Sequence, residues 1–467
     1  MNAQFVGRER EKEELARLNE SNQAEFVALY GRRRVGKTYL IRTFYNDNFC
    51  FYATGLARGN RKEQIANFYK SLCEYSKSQP KFPNDWYEIF DILKQIISAS
   101  RKRRKVVFLD ELPWMDTQKS EFLKALELFW NSWGCMQQHL LLIVCGSAAS
   151  WMVKNIIRNK GGLHNRLTCH IHLAPFNLSE TKQYLRTQNI RWNEETIAEI
   201  YMIMGGIPYY LHLLDKSKSP AQNIDRLFFA PNALLGDEYN NLFSSLFKKS
   251  DEYEKIISAL NKKRSGFTRD EIAKACHMSN GGGLSRRLEE LEQCGFIRRS
   301  QPLNERFFQY QLVDFYCLFY HMFLHGTHYY DRDAWQHIQS SPRYNNWLGL
   351  SFERLCFAHV YEVQKALGIN GIATKTYAFS TPTAQMDMII ERADRVISLC
   401  EMKYTTLPYS LSKQEAEKLS KRKERLLELI PSHKQVLISL VSNHAPKRNS
   451  YYNELITCYI TIKDLFQ

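Results

Sequence analysis

Gly31-Arg32-Arg33-Arg34-Val35-Gly36-Lys37-Thr38 combines two glycines, a lysine and a hydroxyl at the spacing of a phosphate-binding loop. The apolar run Phe26-Val27-Ala28-Leu29-Tyr30 precedes it, and a helical pattern (Tyr39, Leu40, Ile41, Phe44) follows it. In a strand–loop–helix setting the loop N–H groups point inward onto the β- and γ-phosphates, and the helix N-terminus adds positive potential. Lys37 then neutralises phosphate charge, and the Thr38 hydroxyl is placed to hold Mg²⁺, so ATP and Mg²⁺ are the expected cofactors. A second apolar run, Val106-Val107-Phe108-Leu109, ends in Asp110-Glu111. Asp110 is placed for the Mg²⁺ shell, and Glu111 is placed to orient and deprotonate the attacking water. A third run, Leu140 to Cys145, ends in Gly146-Ser147, which puts Ser147 near the γ-phosphate between the two motifs. Arg166 has two readings, a charge offered to the transition state or a solvated surface arginine.

Another constellation lies in Gln385-Met386-Asp387-Met388-Ile389-Ile390 and Val396-Ile397-Ser398-Leu399-Cys400-Glu401-Met402-Lys403. A hairpin centred on Asp394 sets Ile389 opposite Leu399, Asp387 opposite Glu401 and Gln385 opposite Lys403, all on one face. Carboxylates that close need a shared proton or a cation, and Mg²⁺ satisfies Asp387 and Glu401 with oxygen ligands. Lys403 then polarises the metal-bound water or stabilises developing phosphoryl charge. The other reading is an ion-paired hairpin without catalysis.

The chain that must position these groups has 467 residues, 44% hydrophobic and 24% charged, a composition of packed globular domains. Its formal charge of +15 favours a polyanionic partner such as DNA over acidic proteins. Eleven cysteines occur singly, several inside apolar runs, which points to a reducing cytoplasm and to no zinc site. The apolar stretch Leu140–Val153 is broken by Gly146-Ser147 and is too short to span a bilayer, so no membrane role is expected. Between about residues 250 and 300 the pattern is helix, helix, glycine turn, helix, then Phe296-Ile297-Arg298-Arg299 as a strand. Thr268 with Glu271 makes a capping box for the middle helix. That order predicts a winged helix, with Arg286 and Arg287 opening the third helix and Arg298 and Arg299 on the wing. It serves either DNA contact or packing. Tyr310 to Leu324 is apolar on all sides and predicts a buried aromatic helix. Lys413–Arg425 reads as the solvated face of a charged helix.

Phe5-Val6-Gly7-Arg8-Glu9, the Gly31–Thr38 loop, Leu109-Asp110-Glu111-Leu112-Pro113-Trp114, Cys145-Gly146-Ser147-Ala148 and Gly205-Gly206-Ile207-Pro208-Tyr209 together resemble the archaeal-type AAA+ ATPases, close to their STAND-like branch. The resemblance implies that Val6, Gly7 and Arg8 border the adenine, that Ser147 is the sensor-1 residue and that Pro208 belongs to a helical lid. The nucleotide-contact set is then Val6, Gly7, Arg8, Gly31, Arg32, Arg33, Arg34, Val35, Gly36, Lys37, Thr38, Tyr39, Ser147 and Pro208. Gly-Ile-Pro stands where other lids of this class carry a sensor-2 arginine, which favours a nucleotide switch over a hexameric machine. Asp387 with Glu401-x-Lys403 resembles the PD-(D/E)xK nucleases, with Glu353 matching their extra acid and Met386 in place of the usual proline.

The expected architecture is a multidomain α/β chain. It runs as a P-loop ASCE parallel-sheet core (1–176), helical lid (177–248), winged helix (249–305), buried aromatic connector (306–340) and an α/β restriction-endonuclease-like domain (341–467). The expected activity is an ATP-hydrolysing switch acting on DNA with a metal-dependent nuclease domain. The alternative is a non-cleaving signalling or scaffold ATPase whose C-terminal domain binds a protein or nucleic-acid partner; a protein partner or self-association is also an expected association.

Overall fold

A computed structural model describes residues 6–76, 79–247, 249–263, 265–303, 305–326, 334–380 and 385–467. It divides into two compact units, Met1–Pro175 and Phe176–Gln467.

The first unit is built on strands β1 (Glu25–Tyr30), β2 (Phe51–Thr54), β3 (Lys105–Asp110), β4 (Leu140–Gly146) and β5 (Cys169–His172). All pair in parallel, in the order β2-β3-β4-β1-β5. β1, β3 and β4 are uninterrupted apolar runs because helices bury both faces of a parallel sheet. One face packs on the helices Arg61–Tyr75, Trp86–Ala99 and Phe122–Ser132 through Phe68, Trp86, Phe90 and Phe129. The insertion of β4 between β1 and β3 brings three motif-bearing strand ends, Tyr30, Asp110 and Gly146, to one edge of the sheet. Gly146 permits close packing there, since a Cβ would sit 2.7 Å from Cδ of Pro113.

The second unit gathers what the sequence divides into lid, winged helix, connector and nuclease-like domain. Buried aromatic and polar contacts join these segments. Tyr201 of the helix Glu194–Met204 packs edge-on to Phe315 and His359. Tyr404 donates to Glu199 at 2.8 Å, and Asn443 donates to Glu195 at 2.8 Å. The Gly205-Gly206 pair has a backbone reason. Gly205 adopts φ +67°, and a Cβ on Gly206 would stand 1.9 Å from the Phe176 carbonyl oxygen.

Within this unit the helices Ser250–Leu260, Arg269–Ala275 and Gly282–Gln293 accompany a small antiparallel sheet. Its strands β6 (Phe267–Thr268), β7 (Ile297–Ser300) and β8 (Gln309–Leu312) run in the order β6-β8-β7. The Thr268/Glu271 capping box forms. The aromatic helix starts later than its apolarity suggests. Residues 309–312 pair with β7 as a strand, and Asp314 caps the helix Phe315–Phe319 by accepting from the Cys317 N–H at 2.8 Å. Pairing across the hairpin satisfies backbone groups that a helical start would leave without partners.

The C-terminal sheet contains β9 (Thr374–Ser380), β10 (Gln385–Arg392), β11 (Val396–Lys403), β12 (Gln435–Ser442) and β13 (Ile456–Thr461). Their order is β13-β12-β11-β10-β9, with β11, β12 and β13 parallel and the β9–β10–β11 pairings antiparallel. Ile389 and Leu399 share a cluster with Ala416, Leu419 and Leu426 of the helix Lys413–Leu429.

His359 sits at a junction of this unit. Its ring is 1% exposed, its Nδ1 hydrogen-bonds the Leu355 carbonyl at 2.9 Å, and its Nε2 accepts from the Leu178 N–H at 3.0 Å. Burial pushes its pKa down to about 4, against the opposing pull of the Leu355 carbonyl. The unfolded chain protonates this ring near pH 6.5, whereas the folded one does not. The His359 contribution is therefore complete above about pH 6.5 and is lost as pH falls toward about 4, on the order of 2 kcal/mol by pH 5. Urea unfolding of the second unit at about pH 7.5 and about pH 5 measures this. His359→Gln is expected to be less stable at neutral pH and to show a shallower acid loss.

Candidate nucleotide site and a C-terminal ion cluster

The phosphate loop follows β1 directly. Its backbone takes positive φ at Gly31 (151°), Arg34 (70°) and Gly36 (91°), and Gly36 caps the helix Lys37–Phe44. A Cβ on Gly31 would lie 2.3 Å from the Leu173 carbonyl oxygen, so only glycine leaves the strand at this angle. Such a turn points successive N–H groups into a concavity that suits an anion. Lys37 is 5% exposed and donates to the carbonyls of Gly31 (3.0 Å) and Arg32 (2.8 Å). Its ammonium is thus held over the loop by neutral acceptors that a phosphate can replace. Val35 and Arg32 are buried, and Arg33 and Tyr39 are exposed. Arg8 donates to the Val35 carbonyl at 3.3 Å, which ties Val6-Gly7-Arg8 to the loop. Phe5 lies outside the described residues.

The acids meet the loop from the neighbouring strand ends. Thr38 Oγ1 donates to Asp110 Oδ2 at 2.7 Å, and the Glu111 N–H donates to Asp110 Oδ1 at 2.9 Å. Asp110 is 3% exposed, and both of these partners are neutral. A carboxylate beside a hydroxyl offers hard oxygen ligands of the kind that fit Mg²⁺. Glu111 takes φ +46°, and its side chain meets Ser147. The Ser147 hydroxyl donates to Oε1, and the Ser147 N–H donates to Oε2 at 3.2 Å. Ser147 therefore positions the carboxylate expected to act on water. Sequence pattern placed both residues near the γ-phosphate but did not show them bonded.

Arg166 is exposed and lies at the other edge of the sheet. Thr168, two residues on, pairs with Phe26 near the start of β1, whereas the loop leaves its far end. The six residues of β1 span about 20 Å. The backbone near Arg166 thus lies toward the end of the sheet opposite the phosphate loop. Pro208 belongs to the second unit, where it opens the short helix Pro208–His212.

Residues 5–214 match a family described as an ATPase domain predominantly from Archaea. This match supports an archaeal-type P-loop ATPase domain over those residues. An uncharacterized protein of Methanocaldococcus jannaschii is 26% identical to the ATPase over 374 residues, which cover 77% of this chain and 78% of that protein. An uncharacterized ATP-binding protein of the same organism is 55% identical over 40 residues, 9% of this chain and 68% of that protein. Among solved structures, a Walker-type ATPase of Pyrococcus abyssi has a TM-score of 0.50 at 19% identity, covering 67% of this chain and 95% of that one. That likeness shows a shared fold.

The C-terminal constellation of the ATPase differs from its sequence expectation. Ile389 does stand opposite Leu399, but the ladder between β10 and β11 ends at Met388–Cys400. A bulge between Met386 and Ile389 interrupts alternation around Asp387, so one-face register does not continue through it. The side chain of Gln385 lies outside the described residues. Asp387 Oδ2 accepts from the Met402 N–H at 3.0 Å. Glu401 is 7% exposed, and each oxygen takes a cation, Lys403 at 2.8 Å and Arg422 at 2.6 Å. Burial works against the Lys403 charge, but Glu401, then Asp387, hold its pKa above the usual lysine value. Glu353 lies on the helix Pro342–Ala358, where its charge and that of Asp387 add to the burial that raises the Cys356 thiol. Among the described residues no trio of His, Cys, Asp or Glu is grouped to hold a metal ion. As arranged, Glu401 is paired with two side-chain cations, and Asp387 accepts from a backbone N–H.

Arg422 is the residue the sequence reading missed, because it stands inside the basic run Lys421-Arg422-Lys423. Its periodicity carried the signal. It lies three residues after Leu419 and four before Leu426, both buried, so it falls on the inner stripe of a helix read as solvated.

The four arginines expected to face DNA also separate. Arg286 has a side chain 71% exposed and pairs with Glu290, whereas Arg287 pairs with Glu252. Arg298 is held against the Phe357 ring, 4.2 Å from its centroid, and donates to Gln311 at 2.9 Å. Burial pushes its pKa down to about 10. Arg299, 48% exposed, lies over the Phe308 ring.

Lys37→Ala is expected to abolish ATP binding measured by calorimetry. Glu111→Gln is expected to bind ATP normally and lose turnover by about 10²–10⁴-fold. Ser147→Ala is expected to keep binding and lower turnover by about 10-fold or more, because the Glu111 carboxylate loses both orientation and a donor. Single-turnover phosphate release separates these outcomes from a binding defect.

Proposed function

We propose that this ATPase is a nucleotide switch acting on DNA, and that residues 249–312 form a winged helix that makes the contact. In the nucleotide site Lys37 neutralises the phosphates and Glu111 takes the proton of the attacking water. Thr38 and Asp110 would hold Mg²⁺, which supplies further neutralisation of the phosphates. The residues fit that ion because Asp110 is bonded to neutral donors.

The observation that carries the DNA reading is the set of exposed basic and aromatic residues on the three-helix module. Arg269, Lys274 and Arg286 are exposed on its helices. Arg299, Arg306, Phe307 and Phe308 are exposed on and beside β7 and β8, with Phe307 44% and Phe308 43% accessible. Guanidinium groups neutralise backbone phosphates, and exposed rings offer faces to bases or sugars. The net charge of +15 supports the same partner. Arg287 and Arg298, held by internal contacts, act as packing residues.

Fluorescence anisotropy with a labelled duplex tests this proposal. Arg286→Glu/Arg299→Glu/Arg306→Glu is expected to weaken affinity at least about 10-fold. The slope of log affinity against log salt should fall by about one for each phosphate contact removed. Unchanged affinity and slope would leave a scaffold ATPase whose module binds protein.

A further inference from the structure

Glu401 is buried at 7% exposure and carries a cation on each oxygen. Lys403 comes from its own strand, but Arg422 comes from the covering helix. Leu419 and Leu426, within one turn on either side, are locked in the core, so the Arg422 stem is directed at the sheet. Its side chain is 27% exposed, which leaves the guanidinium partly open to solvent. Each Glu401 oxygen thus meets a side-chain cation, while Asp387 and Glu415 add negative charge near Lys403. A divalent cation binds carboxylates whose charge is not otherwise matched. At the nucleotide site that condition holds, because Thr38 and the Glu111 N–H are neutral partners of Asp110. At Glu401 it does not.

We propose that Arg422 occupies the place of a metal ion at Glu401, so that the C-terminal sheet holds no divalent cation there and does not cleave DNA. This rests on the nuclease-like reading of Asp387, Glu401 and Lys403, and it reverses the catalytic part of that reading. Arg422 is a positioning and charge-matching residue that acts through Glu401.

Mn²⁺ binding to the full chain without nucleotide, counted by electron paramagnetic resonance, tests it. Glu401→Gln and Asp387→Asn are each expected to leave the bound Mn²⁺ count of the parent unchanged. Arg422→Gln is expected to gain one site, which the double variant Arg422→Gln/Glu401→Gln loses. Arg422→Lys keeps the charge and is expected to match the parent. A parent chain that loses one Mn²⁺ on either acid substitution, or that nicks supercoiled DNA with Mn²⁺ in an Asp387-dependent way, overturns the proposal and leaves the nuclease reading standing. Where the acid substitutions leave the parent count unchanged, an Arg422→Gln chain that folds, by circular dichroism, and gains no site overturns the proposal and removes the nuclease reading with it. If Arg422→Gln does not fold, the two acid substitutions in the otherwise unchanged chain decide between the first two outcomes.

Discussion

The hydrogen bond from Thr38 to Asp110 joins two strand ends that are not adjacent in the sheet, and the nucleotide site depends on it. β4 lies between β1 and β3, so the loop after β1 and the acid at the end of β3 must converge across it. That convergence leaves room at the β4 end for a residue that meets both, and Ser147 stands there with its hydroxyl and N–H on Glu111. Strand order thus creates one compact constellation from three motifs separated by up to 110 positions, Lys37 to Ser147. The close approaches at Gly31 and Gly146 are the steric side of the same constraint, since a side chain at either would displace the loop or the Ser147 turn.

Two buried acids in this chain illustrate how the partner decides the chemistry. Asp110, 3% exposed, is satisfied by a hydroxyl and a backbone N–H, which complete its hydrogen bonding without cancelling its charge. Glu401, 7% exposed, is satisfied by an ammonium and a guanidinium, which do both. Burial is similar, yet one carboxylate is met by neutral donors and the other by two cations. Taking away one partner of a buried pair leaves a charge poorly compensated, and this keeps such clusters intact once formed.

The three-helix module follows the same rule for arginine. Arg298 lies over Phe357 and donates through Nη2 to Gln311, so a residue read as part of a basic wing is part of the packing. Arg286 and Arg299, with side chains 71% and 48% exposed, keep their charge at the surface. Long cationic side chains bury their stems readily, and a basic run in sequence therefore does not say which heads reach solvent.

The motifs Gly31–Thr38, Asp110-Glu111 and Gly146-Ser147 were legible in the sequence because each is local, an apolar strand followed at once by its polar end. The same holds for the Thr268/Glu271 cap and for the strands from β9 to β13, whose signals lie within a few residues. Arg166 could not be placed without the register of β5 on β1, and the strand character of residues 309–312 needed its partner β7. The sequence by itself determined that a nucleotide loop, its acids and a second Asp/Glu-x-Lys pattern are present, because backbone geometry and short-range periodicity settle such features. Tertiary structure alone decided that Glu401 is matched by Arg422 and that a bulge sets Asp387 out of register, because the partner of a buried charge arrives from a distant segment through packing.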